Sequence, residues 1–144
     1  MAINTSKVVV GGLAAGVVAN IIGFLGFGVL LGPRFEAEAA AVAPALQGRG
    51  MTGGAIATNV FATFVVGILL VWLYAAMRPR FGPGAKTAMY AAFPVWLCGA
   101  LFYMDNMQSG MMSMTSYIYA SLLMVVGLGA AGWVAGMVYK EEGA

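Results

Sequence analysis

Four stretches of this sequence run for about the length of a bilayer crossing without a single charge: Val8 to Leu31, Gly53 to Met77, Thr87 to Met104 and Thr115 to Tyr139. A hydrocarbon core about 30 Å thick takes roughly 20 residues of α-helix at about 1.5 Å each. Inside lipid the backbone has no water to bond to, so each stretch must satisfy its own N–H and C=O groups as a helix. A water-soluble domain is excluded by the same residues: hydrophobic side chains make up 62% of the chain and charged ones 8%, against about 25% charged in ordinary soluble domains. Too few charges remain to cover that much apolar surface. The expected fold is therefore all-α, a four-helix transmembrane bundle in which residues 1–144 form a single membrane domain. A secretory signal is the rival for the first stretch, because Lys7 precedes it and Ala37 and Ala39 follow. That run exceeds the roughly 7–15 apolar residues of a signal core, which predicts a retained span.

The connections set the topology. Lys7, Arg78, Arg80, Lys86 and Lys140 fall on one side of the slab, and Arg34 and Arg49 on the other. Cytoplasmic loops hold the excess of Lys and Arg, so both termini and the second connection are expected in the cytoplasm. Trp72, Tyr74, Tyr90, Trp133 and Tyr139 then border one interface and Phe102, Tyr103, Tyr117 and Tyr119 the other, as amphipathic aromatic rings do. Short second and third connections favour an up-down-up-down order, because neighbours in sequence become neighbours in space. The first outer loop carries an Ala-rich run, Arg34 to Ala43, with Glu36 and Glu38 near its start, predicting a short helix with acids in its first turn, lying at the interface. Arg78-Pro79-Arg80-Phe81-Gly82-Pro83-Gly84 predicts a stiff turn between the second and third helices, and Pro94 predicts a kink in the third. The echo of Pro33-Arg34-Phe35 in Pro79-Arg80-Phe81 is too short to signal a repeat.

Polar and reactive groups are sparse. Histidine is absent and Cys98 is the one cysteine, so the commonest metal ligand, the commonest neutral-pH base and any intrachain disulfide are all missing. Glu36, Glu38 and Asp105 are the acids of the outer side, and none sits at a credible spacing from a nucleophile or base. No enzyme activity and no bound cofactor are expected. Gly82 and Gly84 flank a proline without a following Lys-Ser/Thr, so they are no phosphate loop. The basic residues are scattered rather than gathered into a stripe, which disfavours nucleic acid as a partner. No Asp, Glu, Lys or Arg lies inside a span, which disfavours ion-coupled transport.

What remains points to contacts. Gly12, Gly16 and Asn20 recur four apart in the first span, Ala15, Ala19 and Gly23 beside them, and Gly132 and Gly136 in the fourth. Such spacing lets helix backbones approach closely, within the bundle or between subunits. Asn20 and Asn59 are amides that must find a partner across helices. Arg78, Arg80 and Lys86 are expected to meet anionic lipid headgroups. The membrane's lipids and other membrane subunits, or self-association, are thus the expected partners. One cluster offers a specific alternative: Met107, Met111, Met112 and Met114, near Met104, Asp105 and Cys98, gather soft thioethers of the kind that select Cu(I). Met107 and Met111 would share a face if their segment were helical, which would make the loop the outer mouth of a copper or small-solute path. Methionine is also an adaptable filler at contact surfaces.

The run Val71-Trp72-Leu73-Tyr74-Ala75-Ala76-Met77-Arg78-Pro79-Arg80-Phe81-Gly82-Pro83-Gly84 resembles that of a group of small bacterial membrane proteins with four predicted spans and no known function. In these the second span also ends in an Arg-Pro-Arg-Phe-Gly-Pro-Gly-like turn, followed by a basic residue and Thr-Ala. The end of the first span, Leu30-Leu31-Gly32-Pro33, is similar as well. The resemblance implies four spans and a bacterial inner membrane. It carries no site residue and no activity. Together these observations lead to the expectation of a non-enzymatic accessory or structural subunit of a larger membrane assembly, for example a respiratory or photosynthetic one.

Overall fold

The computed structural model describes residues 3–44 and 52–139, so Arg49 and Lys140 lie outside the described residues. The chain runs α1 (Thr5–Gly23), a π-helical segment (Phe24–Leu30), α2 (Gly32–Val42), α3 (Gly53–Phe81), α4 (Ala85–Gln108) and α5 (Met114–Val138). Four of these helical stretches, Thr5–Leu30, Gly53–Phe81, Ala85–Gln108 and Met114–Val138, are long and apolar enough to cross a membrane. Three of the four start at a capping side chain. Asn4, Thr52 and Ser113 turn side-chain oxygens onto the N–H groups of Lys7, Ala55 and Ser116, satisfying donors that a helix start leaves orphaned. Gly84, ahead of α4, has no side chain to do so.

Several boundaries differ from expectation. The first span does not stay α-helical to Leu31: its last turns widen to π geometry, closed by the Leu31 N–H on the Gly26 carbonyl at 2.8 Å. Gly26 is buried, and a Cβ there would stand 2.2 Å from the Leu123 side chain, so the widened turns bring a bare backbone against α5. In α2 the helix begins at Gly32 with Pro33 in its first turn, and Glu36 and Glu38 fall beyond that turn. The stiff turn expected from Arg78 onward is shorter than predicted. Helix α3 continues through Pro79 to Phe81, closing with the Gly82 N–H on the Arg78 carbonyl at 2.9 Å. Arginines suit the negative end of a helix dipole, so charge ends the apolar run without ending the helix. Gly82 and Gly84, at φ of +81° and +121°, make the reversal itself. Helix α4 runs four residues past Met104 and contains Pro94, whose missing N–H leaves the Tyr90 carbonyl without its helical donor.

Helix α1 packs chiefly on α3 and α5, and α4 on α5 and then α3. The core is built mostly from alanine, with Val8, Leu70, Val71, Tyr74 and Tyr139 among Ala75, Ala88, Ala91, Ala92, Ala131 and Ala135. Small side chains draw the backbones together where dispersion must do the work of the missing hydrophobic drive. This core lies at the end of the bundle where the start of α1, the end of α3, the start of α4 and the end of α5 meet. Tyr74 and Tyr139 cross there edge to face at 6.1 Å, and the Tyr74 hydroxyl accepts the Gly84 N–H at 3.1 Å. Toward the opposite end the packing opens, and every residue of α3 from Gly53 to Ala62 is exposed. Large apolar side chains, Phe24, Leu30, Phe61, Phe93, Phe102 and Val126 among them, cover the outside.

Candidate functional site

The stripes through Gly12 and Gly16 and through Gly132 and Gly136 are consumed inside the bundle, whereas nothing lies within 4 Å of a Cβ built on Gly23. A Cβ on Gly12 would lie 2.5 Å from the Ile68 backbone, one on Gly16 would lie 2.5 Å from the Phe64 ring, and one on Gly67 of α3 would lie 2.5 Å from the Gly12 carbonyl oxygen. A Cβ on Gly132 would lie 3.3 Å from the Ala88 carbonyl oxygen, and one on Gly136 would lie 3.7 Å from the Ala88 side chain and the Tyr74 ring. The spacing alone left the partner open; the seams it marks are α1 on α3 and α5 on α4. Asn20 serves the first seam, donating to Gly16 O at 2.9 Å and to Val60 O of α3 at 3.5 Å. Asn59 does not bridge helices. It is exposed, and its amide has no hydrogen bond among the described residues, whereas the neighbouring Thr58 and Thr63 hydroxyls donate back to Gly54 O and Asn59 O at 2.9 Å.

The methionine segment straddles a break. Met107 lies in α4 and Met111 in the turn that follows Ser109 and Gly110, the latter at φ +75°. A left-handed residue between them removes the shared helical face that their spacing requires. Met107 and Met112 are half-buried, while Met111 and Met114 are exposed. Cys98 is exposed farther down α4. Among the described residues, no three His, Cys, Asp or Glu side chains come together as a metal site would need.

A polar cluster forms beside this turn. The Glu38 carboxylate accepts the Ser113 N–H at 3.0 Å, the Ser113 hydroxyl at 2.8 Å and the Ser116 hydroxyl at 2.7 Å. Arg34 lies 3.4 Å from the same carboxylate, donates to the Ser116 hydroxyl and sits 5.6 Å over the Tyr119 ring. In a capping box, the residue three places into a helix supplies a carboxylate to the N-cap N–H. Ser116 holds that place here, and Glu38 of α2 provides the carboxylate in trans. The Ser113 N–H first and the Ser116 hydroxyl next hold the Glu38 carboxyl below its ordinary value against an opposing push from burial, with the Ser113 hydroxyl and the Arg34 charge adding less. Phe27 ties the cluster to its surroundings, with its ring 6.3 Å from Phe35 and 6.4 Å from Tyr103. Two signals of this cluster are present in the sequence: the i,i+4 spacing of Arg34 and Glu38, and a serine just before an apolar run. Their meeting across 75 residues is not.

At the other end, the basic residues separate. Arg78 is half-buried, while Arg80 and Lys86 are exposed. The Arg80 guanidinium stands 5.9 Å from the Phe81 ring centre and the Lys86 amine 5.8 Å from that of Tyr90, and the two rings pack edge to face at 5.4 Å. Thr87 stitches the reversal beneath them, donating to Gly82 O at 2.6 Å. From Tyr90 an apolar groove of about 550 Å³ runs between α4 and α5, lined by Met89, Tyr90, Ala92, Phe93, Trp96, Val125 and Leu128. The Trp96 indole N–H is engaged by Ser121 O at 3.1 Å, so the ring offers the groove only carbon. Compared with protein-family models, with curated proteins and with solved structures, the chain finds no match in any of the three.

Proposed function

We propose that this protein is a multi-pass component of a bacterial inner membrane that works by contact, as an accessory subunit stabilising a larger membrane assembly. Both termini lie in the cytoplasm, the spans alternate up-down-up-down, and α2 rests at the outer interface. Lys7, Arg78, Arg80 and Lys86 cluster toward one end of the spans and Arg34 toward the other, which supports that orientation. Likeness of the Val71–Gly84 run to small bacterial membrane proteins supports the location.

The single observation that carries the subunit reading is the outer third of α3. From Gly53 to Ala62 the helix is exposed at every position, including Phe61 at 70% and Ile56 at 48%, with the Asn59 amide among them. A helix start that is exposed at every position and presents an amide is suited to a neighbouring helix, because interhelical hydrogen bonds contribute roughly 0.6 to 2 kcal/mol in membranes. The glycine seams do not serve this purpose, since they are spent within the chain. A photo-crosslinking amino acid in place of Phe61, in native membranes, tests the reading: a discrete adduct with another membrane protein is expected. Capture of lipid alone, with a lone monomer through mild-detergent purification, would refute it.

A further inference from the structure

The groove between α4 and α5 has an apolar interior, and the face of α4 that lines it also carries Lys86, with Arg80 at the end of α3 close by. Lys86, Tyr90 and Phe93 follow at intervals of four and three, with Met89 and Trp96 alongside, the spacing that stacks side chains on one side of a helix. Lys86 stands over Tyr90, which lines the groove, and Arg80 stands over Phe81, whose ring packs on Tyr90, so two exposed cations flank the Tyr90 end. Behind them the lining is hydrocarbon and aromatic throughout, and the Trp96 N–H is turned away onto Ser121 O.

We propose that this groove is a binding site for one anionic phospholipid of the surrounding bilayer, its phosphate held by Lys86 and Arg80 and one acyl chain laid along Tyr90, Phe93 and Trp96. Two features of the geometry select this occupant. First, the charges complement a phosphate: basic residues at a membrane surface favour anionic lipid by about 1 kcal/mol each, or roughly fivefold in affinity. Second, the length matches a single leaflet. Ten residues separate Lys86 from Trp96, a rise of about 15 Å, half of the roughly 30 Å hydrocarbon core. An apolar partner helix or a long neutral cofactor would leave both cations without a counter-charge. This inference rests on the chain spanning a bilayer and is independent of the subunit reading.

Tryptophan quenching tests it on the full chain. The chain has three tryptophans; Trp72→Phe with Trp133→Phe, both at exposed positions, leaves Trp96 as the reporter. The protein is reconstituted in phosphatidylcholine vesicles containing a minor fraction of phospholipid brominated in its acyl chains, as phosphatidylglycerol or as phosphatidylcholine. Stronger quenching of Trp96 by the phosphatidylglycerol form is expected, its several-fold preference falling to near parity in Arg80→Gln/Lys86→Gln. Val125→Phe, which fills the groove, should weaken quenching by both forms. Equal quenching by the two headgroups, or a preference that survives the double substitution, would overturn the site. No quenching by either form would overturn the bilayer placement of α4 along with it.

Discussion

Glu38 caps a helix to which it does not belong: its carboxylate takes the Ser113 N–H at 3.0 Å, at the start of α5 and 75 residues along the chain. This contact fastens the short α2 to the bundle. Its partners favour the charged carboxylate and hold it below the ordinary value of 4.5. A group whose folded value is depressed contributes its stability above the unfolded value and loses it as pH falls through the folded one. Protection of the Ser113 and Ser116 amides, measured as exchange relative to the intrinsic rate at each pH, should therefore be high at neutral pH and fall as the pH drops below 4.5. In Glu38→Gln this protection should be lower at neutral pH and lose its acid dependence.

Gly67 meets the backbone of α1 so closely that no side chain fits. A Cβ would stand 2.5 Å from Gly12 O and 2.8 Å from Gly16 N, and main chain cannot rotate away as a side-chain tip can. Gly67→Ala should destabilise the protein by about 1 to 3 kcal/mol through overpacking. Gly23→Ala, where nothing lies within 4 Å, should be neutral or slightly stabilising. Denaturation in mixed micelles compares the two.

Gly84→Ala addresses backbone conformation instead of space. Nothing lies near the position a Cβ would take, yet φ is +121° with ψ −177°, a region that belongs almost wholly to glycine. A loss of about 1 to 3 kcal/mol is expected, read in the same denaturation experiment. A lowered transition without altered helix content would place the defect in the reversal between α3 and α4.

Asn20→Leu should cost little. The bond to Val60 O is long at 3.5 Å, and the amide is also satisfied by Gly16 O within its own helix. Interhelical bonds of this kind average about 0.6 kcal/mol, so a destabilisation below about 1 kcal/mol is expected. A loss of several kcal/mol would show that Asn20 anchors the seam.

The spans were legible because charge exclusion acts over twenty residues at a time and does not depend on what lies next to each helix. Their ends were less so, since helix and apolar run are different things. Arg78 closes the apolar run of α3 while Gly82, four residues on, closes the helix. The stripe through Gly12 and Gly16 announced a close approach, but the identity of the facing helix depended on Gly67, Phe64 and Ile68, which carry no mark of it in sequence. Asn59 illustrates the opposite failure: an amide in an apolar run was expected to bridge helices, and it faces away from them because the first ten residues of α3 are exposed throughout. The groove was hidden for a related reason. Lys86 was readable as a headgroup ligand, but the cavity beyond it needs Val125 and Leu128 from another helix.

The π-helical segment from Phe24 to Leu30 fixes the azimuth of everything after it. Each residue of an α-helix turns the chain by about 100°, and a π turn holds one residue more than an α turn. Were the same seven residues to relax to α geometry, they would turn the chain farther by about one residue's 100°, swinging Arg34 and Glu38 off the start of α5, and deleting one residue there would restore the phase. Seven letters that look like unremarkable membrane filler thus act as the phase setting between the first crossing and the clasp on the fourth.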